Sequence, residues 1–135
     1  MTRVTGSCLC KQVAYECNDL DGEIINCHCT TCRKAHAAPY AANARVLREH
    51  FRWLKGSERL STYESSPGKI RYFCSGCGSH LLAERPAQSH VIVRVSTLDD
   101  DPGQRPRAHI WCSLHAPWLE EPETILHYPE WQPER

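Results

Sequence analysis

The chain has 135 residues, and its 16 basic side chains balance its 16 acidic ones, so the formal net charge is zero. This length is typical of one domain with one core, and we expect residues 1–135 to form a single domain. The lack of an excess of Lys and Arg argues against nucleic acid or an anionic membrane as a partner. No run of residues approaches the roughly 20 apolar side chains that span a bilayer.

The amino terminus and the cysteine count bear on the compartment. Residues 1–7 lack the apolar stretch of a secretory signal, so we expect a soluble, cytoplasmic protein. In that reducing compartment, nine cysteines are better explained as metal-binding thiolates than as disulfides. A disulfide-linked secreted domain is the alternative if a signal peptide has been removed.

Alternating apolar and polar residues predict a mainly β fold. Val13, Tyr15 and Cys17 share one face of such a pattern, and the valines of residues 91–95 repeat it. Strands are predicted over residues 13–17, 41–46, 51–55, 61–64, 70–73, 81–84, 91–95 and 108–112. Turn signals at residues 55–57, 66–68 and 101–103 favour a meandering antiparallel arrangement of these short strands.

One short helix is predicted after residue 30. The hydroxyl groups of Thr30 and Thr31 can cap free backbone N–H groups at its start, and Pro39 should end it. The tail over residues 116–135 carries Trp118 and Trp131, and its aromatic content favours packing onto the domain.

Seven of the nine cysteines form three tight groups: Cys8-Leu9-Cys10, Cys27-His28-Cys29-Thr30-Thr31-Cys32 and Cys74-Ser75-Gly76-Cys77. The third group predicts a zinc knuckle, because a two-residue gap lets both sulfurs face one ion while Gly76 and Gly78 permit a tight turn. A redox pair at Cys74 and Cys77 is the alternative, although the surrounding βαβ pattern of a thioredoxin is missing.

A structural zinc ion needs four ligands, so the knuckle requires a second pair of thiolates. Cys8 and Cys10 are the natural donors, because residues two apart in an extended segment face the same side while Leu9 points away. We therefore predict one closed site held by Cys8, Cys10, Cys74 and Cys77.

The middle group predicts a second and different site. Cys27 and Cys29 share one face of an extended segment, and Cys32 adds a third sulfur after the turn into the helix. Three ligands leave one coordination position open, as catalytic zinc requires. His36 is the candidate that would close the site, since it follows Cys32 by four residues on the same helical face. His28 should face away from the metal.

The two remaining cysteines have an ordinary interpretation. Cys17 and Cys112 occupy predicted strands, and we expect both to be small core residues.

These motifs resemble those of the family of glutathione-dependent formaldehyde-activating enzymes and centromere protein V. The matching segments run in the family's order over nearly the whole chain: Gly6-Ser7-Cys8-Leu9-Cys10, Val13-Ala14-Tyr15-Glu16, Asn26-Cys27-His28-Cys29-Thr30-Thr31-Cys32-Arg33-Lys34, Phe73-Cys74-Ser75-Gly76-Cys77-Gly78-Ser79 and His109-Ile110-Trp111. The resemblance implies a small β-tent zinc-binding fold with two zinc ions per chain, partitioned among the cysteines as above. Three family positions differ, with Lys11 and Ala37 standing for glycines and Tyr40 for phenylalanine.

The resemblance also implies an activity. It is a carbon–sulfur lyase reaction on a thiol–aldehyde adduct such as S-hydroxymethylglutathione, with glutathione as co-substrate and Cys27, Cys29 and Cys32 holding the catalytic zinc. Arg33 and Lys34 could anchor a glutathione carboxylate, or be a solvated pair of cations. His109 and Trp111 either line the pocket or are ordinary strand residues.

Two other functions stay open at this point. One is a non-catalytic zinc module that binds a partner protein, as the centromere protein V branch suggests. The other is a thiol-based redox or metal sensor that uses the three-cysteine group.

Overall fold

Ten short β-strands and one α-helix form the main regular structure of residues 3–133, the part of the chain that the computed structural model describes. The strands are β1 (Val4–Ser7), β2 (Ala14–Cys17), β3 (Ile25–Cys27), β4 (Ala41–Leu47), β5 (Phe51–Lys55), β6 (Leu60–Ser66), β7 (Lys69–Cys74), β8 (His80–Glu84), β9 (His90–Arg94) and β10 (Ala108–Ile110). The helix, α1, spans Thr30–His36. The mainly β prediction with one short helix is confirmed.

The strands form two sheets. A three-stranded sheet has the order β1-β2-β5, and a seven-stranded sheet has the order β10-β3-β4-β9-β8-β7-β6. Neighbouring strands are antiparallel except for β10 and β3, which pair in parallel. The predicted meander is present in the run from β6 to β9, whereas the neighbours β4 and β9 are far apart in the sequence.

The core lies between the two sheets. Val13, Tyr15 and Cys17 are fully buried, as their alternation predicted, and they pack with Val46 and Val93 of the large sheet. The ring of Tyr15 stacks on Phe51 at a centroid distance of 5.3 Å. A Cβ atom at Gly6 would collide with the same ring, so only glycine fits at this point of β1.

The large sheet has two different faces. On β9, Val91 and Val93 point into the core, while Ile92 and Arg94 lie on the opposite face. Side chains two apart on a strand share a face. That opposite face forms the floor of the cavity that contains the candidate site.

Two details of the strand prediction are corrected. Strands β1 and β3 were not predicted, because β3 has only three residues and Gly6 interrupts the pattern of β1. The predicted strand at 108–112 ends at Ile110, and Cys112 lies in a short 3-10 turn where it is exposed. The prediction of a core position is therefore confirmed for Cys17 and wrong for Cys112.

The prediction of a packed tail is also wrong. Trp118 is 68% exposed and Trp131 is 71% exposed, and within the described residues after Leu114 no strand or helix is present. The prolines of this segment lack the N–H group that a sheet ladder needs. No helix in residues 3–133 is long and apolar enough to cross a membrane.

Candidate metal centres and a cationic cavity

The four cysteines predicted for the closed site come together. Their Sγ atoms all lie within 4.8 Å of one another. The Sγ atoms of Cys8 and Cys10 are 3.6 Å apart, and those of Cys10 and Cys74 are 3.8 Å apart. Four sulfurs around a tetrahedral zinc ion, each at about 2.3 Å from the metal, are separated by about 3.8 Å. The donor set therefore fits such an ion.

A tight turn, rather than the expected extended segment, brings Cys8 and Cys10 together. They lie between β1 and β2, where the N–H of Lys11 donates to the carbonyl of Cys8 at 3.0 Å. The N–H of Val13 donates to the Cys8 sulfur at 3.3 Å. Lys11 has a left-handed backbone with a φ of 68°, a conformation that favours glycine.

The other pair lies where β7 ends and the chain turns into β8. Gly78 has a φ of 78°, and its N–H donates to the carbonyl of Cys74 at 2.8 Å. The N–H of Gly76 approaches the Cys74 sulfur at 3.4 Å. This is the knuckle geometry that the spacing predicted, with Gly78 supplying the left-handed residue.

The Sγ atoms of Cys27, Cys29 and Cys32 form a second group within 4.8 Å of one another. Cys27 and Cys32 are buried and Cys29 is half-buried. Among residues 3–133, no His, Asp or Glu side chain completes this group with a fourth ligand atom. The group can hold a metal ion and leaves a coordination position for another molecule.

The helix start that positions Cys32 differs from the prediction. Cys29, not a threonine, is the N-cap residue, and its sulfur accepts a hydrogen bond from the N–H of Cys32 at 3.3 Å. The last helical residue is His36, and Ala37 is the C-cap residue, whose N–H donates to the carbonyl of Arg33. Ala37 adopts a left-handed backbone with a φ of 49°. Helix α1 therefore ends before Pro39 is reached.

The two nearby histidines lie outside the three-thiolate group. His36 packs its ring against His80 at a centroid distance of 5.0 Å, so it does not close the site. His28 faces away as expected, and its Nε2 lies 2.8 Å from Nδ1 of His109. Burial lowers the pKa of His36 to about 3, with the charges of Arg94 and His80 acting in the same direction.

A cavity of about 770 Å³ opens directly onto the three thiolates. Cys27, Cys29 and Cys32 are part of its lining, together with Trp111 from the segment after β10. His109 is not in the lining and pairs with His28 instead. The cavity is large enough for a small substrate, since ligand pockets range from about 300 to 1,000 Å³.

The cavity is strongly cationic although the whole chain is neutral. Five basic side chains line it, against one acidic side chain, Glu23; the five are Arg45, Lys69, Arg71, Arg85 and Arg94. Nη2 of Arg71 lies 3.8 Å from the Cys32 sulfur. Burial acts to raise the pKa of Cys32, but its contacts with Cys29 and Arg71 outweigh burial and lower that pKa.

Arg33 and Lys34 occupy a different place. Both belong to α1, neither lines the cavity, and the Lys34 side chain is exposed. Their role as glutathione anchors stays a prediction. Sequence reasoning missed Arg71 and Arg94, although each stands in a strand pattern next to apolar residues, where a charge is unusual.

Comparison with known proteins identifies the family. A model of the glutathione-dependent formaldehyde-activating enzymes matches residues 3–114. The chain belongs to this family. A provisionally named glutathione-dependent formaldehyde-activating enzyme of Halomonas elongata is 31% identical over 129 residues, covering 85% of this chain and 78% of that protein.

Two further proteins are similar to this chain. An uncharacterized lyase of Schizosaccharomyces pombe is 30% identical over 81 residues, which cover 60% of this chain and 57% of that protein. The chain therefore matches just over half the length of the yeast relative. The crystal structure of a Rhodobacter sphaeroides protein superposes with a TM-score of 0.62 at 26% identity, covering 76% of this chain and 97% of that one.

Proposed function

We propose that this protein is a zinc-dependent carbon–sulfur lyase that makes and breaks a thiol–aldehyde adduct such as S-hydroxymethylglutathione. The single observation that carries the proposal is the three-thiolate group of Cys27, Cys29 and Cys32, which lacks a fourth protein ligand among residues 3–133 and faces a 770 Å³ cavity. A structural site would be expected to be closed by the protein itself.

The closed group has a different role in this proposal. Cys8, Cys10, Cys74 and Cys77 supply all four ligands of a structural zinc ion. Such an ion would join the turn between β1 and β2 to the turn between β7 and β8. Each turn belongs to a different sheet, so the ion would hold the two sheets together at this end.

The reaction requires no oxidant. In the synthetic direction, the thiolate sulfur attacks the aldehyde carbon, a carbon–sulfur bond forms, and the carbonyl oxygen becomes an alkoxide that takes one proton. The reverse direction returns the thiol and the aldehyde. Zinc at the three-thiolate site would supply the means to keep a substrate thiol ionised at neutral pH or to polarise a carbonyl oxygen.

In this proposal, the side chains of the protein position the metal-binding sulfurs and supply positive charge around the substrate. Cys27 on β3 and Cys32 on α1 line the cavity, and both residues are buried. The Arg71 guanidinium beside Cys32 stabilises negative charge on this sulfur. The surrounding cations favour a thiolate over a thiol for any substrate in the cavity.

The test is exchange between free glutathione and its formaldehyde adduct, measured by NMR line broadening and exchange spectroscopy at neutral pH. The zinc-loaded wild type should accelerate exchange above the spontaneous rate in proportion to its concentration. Cys29→Ser should abolish this acceleration and lose one of two zinc ions per chain. Cys112→Ser is the matched control, because Cys112 lies in neither group and is exposed.

Two outcomes would overturn the proposal. One is exchange at the spontaneous rate with two zinc ions bound per chain. The other is acceleration that survives the loss of the second ion in Cys29→Ser.

A further inference from the structure

Two buried arginines at the floor of the cavity have no carboxylate partner among the described residues. Arg71 is 4% exposed and Arg94 is 3% exposed. Within the described residues, neither forms an ion pair with a carboxylate. Buried guanidinium groups are costly unless they are paired, so their presence here calls for a partner.

Several of their N–H groups are also unsatisfied. Nη1 of Arg94 donates to Oδ1 of Asn43 at 2.7 Å, but its Nε and Nη2 are buried and have no hydrogen-bond partner among residues 3–133. Nε of Arg71 donates to Oγ of Ser65 at 2.8 Å and Nη2 contacts the Cys32 sulfur, while Nη1 is buried with no partner in the described part of the chain. Three donor nitrogens of Arg71 and Arg94 therefore have no acceptor within the described residues.

The unsatisfied atoms of Arg94 have a specific geometry. Nε and Nη2 form one edge of the planar guanidinium, and two donors on one edge match the two oxygens of a carboxylate. Burial lowers the pKa of Arg94 to about 10, which leaves it cationic at neutral pH. The edge is therefore a charged, planar pair of donors with no acceptor among the described side chains.

The charge of the adjacent metal group does not remove the need for an anion. A divalent ion with three thiolates carries one net negative charge, whereas Arg71 and Arg94 carry two positive charges. Lys69 and Arg85 add further positive charge in the same lining. An anionic ligand would bring this buried region closer to neutrality.

We infer that Arg71 and Arg94 form a carboxylate subsite beside the three-thiolate group, so that the cavity selects thiols that carry a carboxylate over neutral thiols. This inference rests on the proposed function, because it places the substrate sulfur at the open metal position. The two arginines come from β7 and β9, which lie on either side of β8 in the sheet. Rigid strands hold such a subsite more firmly than loops do.

The inference is tested by calorimetric titration of the zinc-loaded protein with ligands of matched size. The probes are 3-mercaptopropionate, 3-mercapto-1-propanol, propionate and inorganic phosphate. The anionic thiol should bind at least about tenfold more tightly than the alcohol, as the loss of one charged hydrogen-bonded contact implies. Propionate should compete with the anionic thiol.

Variants test whether Arg94 causes the preference for the anionic thiol. Arg94→Gln should remove most of the preference, and Arg94→Lys should restore part of it because the charge returns without the two-donor edge. Arg107→Gln, an exposed arginine outside the cavity, should keep the wild-type preference. Zinc content is measured for each variant, and the wild-type ligand series decides the question even if the Gln variant does not fold.

The outcomes separate this inference from the proposed function. Equal affinity of the wild type for the two thiols would overturn the subsite while leaving the lyase proposal in place. Binding of propionate without binding of either thiol would support the subsite and overturn the thiol-binding role of the metal position. Competition by phosphate but not by propionate would overturn the assignment to a carboxylate.

Discussion

The sulfur of Cys29 accepts a hydrogen bond from the backbone N–H of Cys32 at 3.3 Å, so one member of the three-thiolate group also caps the helix that carries another. An N-cap side chain satisfies a backbone donor that the first turn of a helix leaves free. The formation of α1 and the geometry of the candidate metal site are therefore coupled.

This coupling predicts different results for two substitutions at one position. Cys29→Ser keeps a good N-cap residue and should lose zinc from the second site with little further loss of stability. Cys29→Ala removes both the ligand and the cap, and should lower the free energy of unfolding by about 1 kcal/mol relative to Cys29→Ser. Zinc analysis and urea unfolding of the two variants, both lacking the second ion, measure the difference. Equal stabilities would show that the cap contributes nothing.

The closed group predicts a larger effect on stability. Cys8 and Cys74 are 66 positions apart in the numbering, and a metal bound to both would cross-link a long loop. Cys77→Ser should therefore lower the free energy of unfolding by at least about 3 kcal/mol and release one zinc ion. Thermal unfolding with and without a chelator measures this loss. Cys112→Ser should behave as the wild type, and an equal loss in both variants would argue against a structural ion.

Two positions at which the family resemblance implies glycine share a backbone feature that sequence alone did not show. Lys11 and Ala37 both have positive φ values, 68° and 49°. The sequence indicated only that these residues stand where the resemblance implies glycine. Glycine would adopt this left-handed backbone at lower cost at both positions, because it lacks the Cβ atom that makes the conformation costly.

Ala37→Gly is therefore expected to stabilise the protein. The left-handed conformation costs an L-residue about 1–2 kcal/mol, and the added chain entropy of glycine offsets part of this gain, so we expect a net gain of about 0.5–1 kcal/mol. Ala35→Gly, in the interior of the same helix, should destabilise by about 1 kcal/mol. Chemical unfolding of both variants in excess zinc decides the sign. Destabilisation by both would contradict the strain argument.

The sequence correctly predicted that Cys8, Cys10, Cys74 and Cys77 come together, because they form two close pairs whose spacing allows few other arrangements. It also predicted that Cys27, Cys29 and Cys32 come together, since these residues are neighbours in the chain. It did not predict Arg71 and Arg94, which are 23 positions apart and meet only through the order of β7, β8 and β9. Contacts across a sheet depend on register, which local patterns do not specify.

For the aromatic tail, in contrast, the sequence led to a prediction of packing that is wrong. Trp118 and Trp131 suggested burial from residue type alone, yet both are largely exposed. Apolar type favours burial only where the backbone can also satisfy its hydrogen bonds, and a proline-rich segment lacks some of the necessary donors.

The half-buried side chain of His36 predicts a pH dependence of stability. Burial lowers the pKa of His36 to about 3, below its usual value near 6.5. The unfolded state therefore binds more protons than the folded state between these values, and stability falls as the pH drops below about 6.5. The slope from one such group is at most about 1.4 kcal/mol per pH unit. His36→Gln should flatten the fall in melting temperature between pH 6.5 and 5.

The matched control for this experiment is His127→Gln, in the exposed tail. This variant should retain the wild-type dependence of the melting temperature on pH. Loss of metal from the cysteine groups in acid affects all three proteins alike, so the difference between the His36 variant and the control isolates the histidine. Identical slopes in all three would exclude His36 as a source of acid instability.

The exposure of the tail predicts that most of it is dispensable for the fold. The family match ends at residue 114, and the described tail residues after Leu119 are all exposed. Deleting residues 120–135 should therefore leave zinc content unchanged and the melting temperature within about 3 °C of the wild type, since little apolar surface is uncovered.

A longer deletion, in contrast, should affect both zinc binding and stability. Removing residues 108–135 also removes β10, whose Ile110 pairs with Cys27 and accepts a hydrogen bond from the N–H of His28 at 2.9 Å. Because β3 then loses one neighbour and the cavity loses Trp111, this variant should bind less zinc at the second site and melt at a lower temperature. If the shorter deletion caused the same losses, residues 120–135 would have to stabilise the domain through contacts that their exposure does not indicate.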